Sequence, residues 1–367
     1  MLNLRRFSIS NFTQMIVIII LLLNTITFSI SVQWKINNGS SITHCPAIDG
    51  DYVYIIDGDK SLYKLNMNGK ILWKVSIEKG FSSSPSIDEK GDIYIGSWDG
   101  CVYKISKDGK VLWKFATEKY IFSTPAISKN AIYVGSQDGN FYAISFDGKL
   151  LWKFTTQGAI YSSAAIDNTG NIVFASSDGY VYKLSESGKL VWKFKIDTET
   201  NSSPALDKNG NILIGSYDNY LHCISKDGKL IWKFLSDGGI YSSPVIDSRG
   251  NIYFCTEEGT IYALNSTGKK LWEFKTKANI YSTPLIGDDG IIYFINHYGD
   301  LYALNSKGKQ LWTFSTGTTK ASLNLRNNLL VVVTEDGIVQ AIKVSSKDIM
   351  KSDWPKFMKN TNNNGKF

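Results

Sequence analysis

Cysteine and histidine are scarce in this 367-residue chain, with four of the first and three of the second. Cys45, Cys101, Cys223 and Cys255 include no CxxC pair and no two neighbours, and His44, His222 and His297 are scattered. That spacing excludes a sequence-visible zinc or redox centre. It also suggests no Cys-His or Ser-His-Asp machinery: His44 and Cys45 are adjacent, so along a strand their side chains point to opposite faces. A basic block is missing as well. The net charge of +7 falls to +5 once Arg5 and Arg6 are set aside, and the remainder is Lys-Asp alternation. This describes a solvated surface and argues against a nucleic-acid partner. Beyond the first thirty residues no amphipathic helical period occurs.

What is present begins with a leader. Arg5 and Arg6 precede the apolar run Met15–Leu23, and small residues follow at Ser29 and Ser31. A basic n-region, a short apolar h-region and small residues define a secretory signal, here ending at residue 31. The alternative is an uncleaved anchor, since residues 15–32 could just span a bilayer. Asn24, Thr25 and Thr27 interrupt the run and favour cleavage. Both readings place the chain outside the cytoplasm, as a secreted, periplasmic or cell-surface protein. No cysteine stands directly after residue 31 to carry a lipid anchor, so membrane contact is expected only through an uncleaved leader.

The body of the chain repeats itself. Trp34, Trp73, Trp113, Trp152, Trp192, Trp232, Trp272 and Trp312 are separated by 39, 40, 39, 40, 40, 40 and 40 residues. Such a period is the signature of a repeat architecture. Each unit reads as four short strands: from Ile240 they are IYSSPVI, NIYFCTE, TIYALN and KLWEFKT. Turns of the DSRG and NSTGK kind separate them, with glycine supplying positive φ. Four antiparallel strands per forty residues predict a β-propeller, because one sheet alone cannot bury both faces. Each tryptophan is expected to bury ~150–250 Å2 at a blade junction, at most ~4–6 kcal/mol gross. The eighth copy lacks a fourth strand, whereas SVQWKI has no blade before it. The expected fold is therefore all-β: eight four-stranded blades over residues 32–345, closed by the strand of Trp34, then a tail over 346–367. The four cysteines fall at different repeat phases and are expected to be buried free thiols.

YALNSTGKKLWEF followed by IYSTPLIGDDGIIYF resembles the PQQ-like repeat family, over Trp34 to about Val344. DWPKFMKNTNNNG, from Asp353, is similar to a segment flanking such propellers in secreted proteins. The resemblance implies either a quinone-dependent dehydrogenase or a BamB-type scaffold of outer-membrane protein assembly. The dehydrogenases carry adjacent cysteines and a calcium site, and are longer. This chain has no adjacent cysteines and no insertion between blades. PQQ with calcium is therefore not expected, and neither catalytic nor metal-binding residues are assigned. Calcium in the DxxG hairpins is excluded by their one or two carboxylates, where six to eight oxygens are needed.

Residues identical in every copy serve the fold, so a single site must lie where the copies differ. Before the second-to-third turn they carry Gly58, Trp98, Gln137, Ser177, Tyr217, Glu257, His297 and Glu335. At the start of the channel strand they carry Thr43, Ser82, Phe122, Tyr161, Asn201, Tyr241, Tyr281 and Lys320. In a propeller both sets fall on one face. An aromatic and polar rim suits recognition of a partner protein or surface polymer. The expectation is a monomeric, non-enzymatic binding protein of the cell envelope. The alternative is a reduced quinoprotein holding a small ligand at the channel mouth.

Overall fold

The computed structural model describes residues 30–365 except 59, 197 and 355; the leader therefore lies outside the described residues. Eight four-stranded antiparallel sheets follow one another. Blade 3 is typical, with strands Ala126–Ile127, Ile132–Gly135, Asn140–Ile144 and Leu150–Thr155 in that order. Blade 8 comprises Asn324–Arg326, Leu329–Val333 and Ile338–Lys343, completed by Ser31–Asn37. Trp34 pairs with Ala341 in this last sheet, so the first strand fastens the ring.

The tryptophans join blades in a way their spacing alone does not convey. Each lies on an outer strand with one side open to solvent, and is only half-buried. An outermost strand has no further strand over it, so one edge of each indole stays in contact with solvent. The indole instead reaches the next blade: Trp152 Nε1 donates to the Glu186 carbonyl at 2.9 Å, and Trp192 Nε1 to that of Lys226 at 2.8 Å. Gly188, at φ +80°, lies against Trp152 so closely that a Cβ there would sit 2.5 Å from the ring. The same contact recurs from Trp34 with Gly69 to Trp272 with Gly308. The second-strand tyrosines Tyr54, Tyr94, Tyr133, Tyr253 and Tyr293 are buried more deeply than these indoles.

Around the axis the repeated serines and threonines make a second set of junctions. The N–H of Thr124 donates to Ser163 Oγ, Ser163 to Ser203, Ser203 to Ser243, Ser243 to Thr283 and Thr283 to Ser322. Cys45 N–H donates likewise to Ser84 Oγ at 3.0 Å. These hydroxyls satisfy backbone donors that a short inner strand would leave unpaired. All four cysteines are free and buried.

The C-terminal tail crosses the channel mouth on the side of the first-to-second turns. Its carbonyls accept an N–H from the inner strands of blade 6 and of blades 1 to 4: Trp354 from Ile246, Thr361 from Ile48, Asn362 from Ile87, Asn364 from Ile127 and Gly365 from Ile166. Trp354, Lys356, Met358 and Asn363 are buried there. Lys356 Nζ donates to the carbonyls of Phe357 and Asn360 and to Asn363 Oδ1 at 2.6 Å. Burial lowers its pKa from 10.5 to about 8, with the neighbouring Cys45 opposing the shift.

Two outcomes follow. Gly188→Ala combines left-handed strain with a clash against Trp152 and should lower unfolding free energy by about 3 kcal/mol. Gly50→Ala, at φ +55° with open space around it, should lose only about 1 kcal/mol; chemical denaturation separates the two. For Lys356, the unfolded chain holds the extra proton between pH 8 and 10.5, so this group's contribution to stability rises with pH across that window. The difference in unfolding free energy between wild type and Lys356→Met should therefore shift in favour of the wild type from pH 8 to 10.5.

Candidate functional site

On the face away from the tail, one backbone bond is made eight times. The residue before each second-to-third turn donates its N–H to the linker that leads into its own blade. Gly58 bonds Ser41, Trp98 bonds Gly80, Gln137 bonds Tyr120 and Ser177 bonds Ala159. Tyr217 bonds Glu199, Glu257 bonds Gly239, His297 bonds Asn279 and Glu335 bonds Thr318. This clamp uses only main-chain groups, so it places no demand on the side chain it holds. Seven residue types are thereby presented at eight equivalent points around the mouth, each beside the residue that starts a channel strand.

The side chains gather into two arcs. In the first, across blades 2 to 4, Trp98 meets Phe122 edge-on at 4.7 Å between ring centroids and Tyr120 at 5.4 Å. Phe122 lies 5.8 Å from Tyr161, and Gln137 Nε2 donates to the Tyr161 hydroxyl at 3.1 Å. In the second, Asn201 Nδ2 donates to the Tyr217 hydroxyl at 3.0 Å, and Tyr217 stands 6.5 Å from Tyr241. Tyr241 continues to Tyr281 at 5.8 Å and Tyr281 to His297 at 5.6 Å. Lys320 Nζ closes this arc 5.6 Å from the Tyr281 ring centre. Ser177 separates the arcs on one side; Gly58, Thr43 and Ser82 separate them on the other. Glu335 is half-buried beside the second arc without joining it. Tyr120 and Tyr298 add exposed rings that the repeat comparison passed over; Tyr120 lies in a linker and Tyr298 within a turn, one residue off the compared positions.

Glu257 is half-buried, not the exposed member of an acidic pair that its loop position suggests. It packs with Tyr217 against Gly239, where a Cβ would lie 3.2 Å from both. Burial, and then the charge of Glu258, raises its carboxyl above the usual range. Burial likewise pushes the Tyr217 hydroxyl up to about 12. Among the described residues no three carboxylate, cysteine or histidine side chains converge on a point that could hold a metal ion. Glu257 and Glu335 stand two blades apart. These donors do not fit a calcium-held quinone, which needs six to eight oxygens about the ion. The arrangement offers planar apolar faces, amide and hydroxyl donors and one flanking cation.

The family model described as outer membrane protein assembly factor BamB matches residues 31–175, 177–283 and 257–349. The crystal structure of BamB from Moraxella catarrhalis is similar with a TM-score of 0.73, over 86% of this chain and 100% of that chain, at 18% identity. A computationally designed protein, Ika8, is similar with a TM-score of 0.74, over 84% of this chain and 98% of that chain, at 17% identity. At these identities the likeness is one of fold. None of the curated protein sequences compared matches the chain.

Because the clamps need no particular side chain, the rim should be replaceable without unfolding the ring. Trp98→Ala and Tyr241→Ala should each change stability by no more than about 1 kcal/mol. Tyr253→Ala, in the core of the same blade as Tyr241, should lose about 3–5 kcal/mol. Thermal and chemical unfolding of the three variants checks the contrast.

Proposed function

Because the chain belongs to the family described as outer membrane protein assembly factor BamB, we propose that it is a non-enzymatic extracytoplasmic scaffold, binding an envelope protein through its aromatic rim. The observation that carries this reading is one backbone clamp, repeated eight times, holding residues of seven different types. A rim free of folding duty can be shaped to a partner. Tyrosine and tryptophan suit that task, offering large, stiff contact surfaces with one polar atom each. The opposite mouth is filled by the tail, which leaves the rim as the accessible end of the channel. The reading includes no quinone and no metal ion.

A crosslinking pull-down of residues 32–367 from native cell envelope should recover a partner protein. The combined Trp98→Ala, Tyr217→Ala and Tyr241→Ala variant, folded by circular dichroism, should lose it. Recovery of the same proteins by both chains would contradict the assignment of the rim. Adding PQQ with calcium should leave the tryptophan fluorescence unchanged; saturable quenching would favour a quinone site instead.

A further inference from the structure

The gap between the arcs at blades 1 and 2 is not bare surface. A cavity of about 530 Å3 opens there, lined by Ser41, Thr43, His44, Asp57, Gly58, Lys60, Lys79, Gly80, Phe81 and Trp98. It exists because blade 1 departs from the repeat. Gly58 leaves empty the space that Trp98, Gln137 or Tyr217 fills elsewhere. His44 and Cys45 replace the two serines of the common inner strand.

Lys60 is the sharper departure. The equivalent position is Gly100, Gly139, Gly179, Gly259, Gly299 and Gly337 in six blades and Asn219 in a seventh, all left-handed. Lys60 adopts the same backbone at φ +78° with a full side chain. A lysine held left-handed is strained, and such strain concentrates at functional sites. Gly80, itself at φ +80°, makes room for it: a Cβ on Gly80 would come 3.1 Å from Lys60 Cα. Neither Lys60 nor Lys79 has an ion-pair partner among the described residues. The Asp57 carboxylate is taken up by Asn38 Nδ2 at 2.6 Å and the Ser61 N–H at 2.9 Å.

We infer that this cavity is a binding site for an acidic sugar residue, a hexuronate unit of a glycan. The two ammonium groups meet its carboxylate. The indole of Trp98, braced by Tyr120 and Phe122, supplies an apolar wall for the ring. Ser41 and Thr43 hydroxyls and the His44 imidazole serve the sugar hydroxyls; burial lowers the His44 pKa. A volume of this size falls in the range of small-ligand pockets. An extended peptide is disfavoured because the backbone around the site is already paired. Gly58 N–H is bonded to Ser41, Asp57 to Ser61, Ile42 to Thr334, Ser82 to Gly96 and Trp98 to Gly80. The inference shares Trp98 with the partner-protein reading, but its two lysines, Lys60 and Lys79, belong to neither arc.

Lys60→Gly is the decisive variant, because it restores the residue used by six other blades. It should unfold at a higher temperature than wild type while binding tetragalacturonate at least tenfold more weakly by titration calorimetry. Lys79→Gln should weaken the same ligand comparably at unchanged stability. An α-1,4-linked galactotetraose, alike except that it lacks the carboxylates, should not bind. Failure of tetragalacturonate to bind the wild type, or wild-type affinity in both variants, would overturn the site. Equal affinity for tetraglutamate or inorganic phosphate would overturn its assignment to a sugar. Capture of the envelope partner should be the same for Lys60→Gly as for wild type, so the two readings fail separately.

Discussion

Everything in this ring depends on one contact: an indole on the outer strand of one blade, covering a glycine turn of the next. The glycine must be glycine because the ring occupies the place of its side chain, and the indole N–H must find the turn's carbonyl. That pairing explains why tryptophan and the Gly-Lys turn travel together at a period of 39–40 residues. Each indole adds a hydrogen bond and a close stack to the area it removes from water, repeated round the ring. Trp312 faces blade 8, where Ser31–Asn37 arrives from the other end of the chain and no third-to-fourth turn exists. The junction therefore has a seam, and blade 8 is held by strand pairing instead.

With the blades fixed from outside by indoles and from inside by hydroxyls, the rim is left without a structural task. Its second-to-third turns are clamped by main-chain bonds that any residue can make. Two consequences meet there. Side chains can vary from blade to blade without loosening the ring, and aromatic rings can cluster at an exposed edge. Blade 1 shows the limit of that freedom: a lysine accepts a backbone suited to glycine and a cavity opens beside it. The opposite mouth has the reverse character, since the tail satisfies inner-strand donors and buries its own lysine among oxygen atoms.

Much of this was legible in the residues. The tryptophan period, the Asp-Gly turns and the unmatched strand SVQWKI carry the blade count and the closure, because each is a local rule written many times. The two rim positions were legible for the opposite reason, as places where the rule lapses. The arcs themselves were not, since contact between Trp98 and Phe122 depends on the radius of the ring. The path of the tail was hidden because it occurs once and bonds through backbone carbonyls, which carry no sequence signal. Lys60 stood in view as a lysine aligned with glycines, but its meaning needed the backbone angle and the cavity beside it.

The central claim is that recognition belongs to the rim and folding to the rest. Site-specific photo-crosslinking tests it most directly, with the reactive group placed at Tyr241 on the rim, Leu151 on the exposed outer edge or Asn209 on the tail-side face. In native envelope, the rim position should yield a discrete adduct and the other two none. Adducts from Leu151 or Asn209, with none from Tyr241, would contradict the account and move the binding surface off the rim.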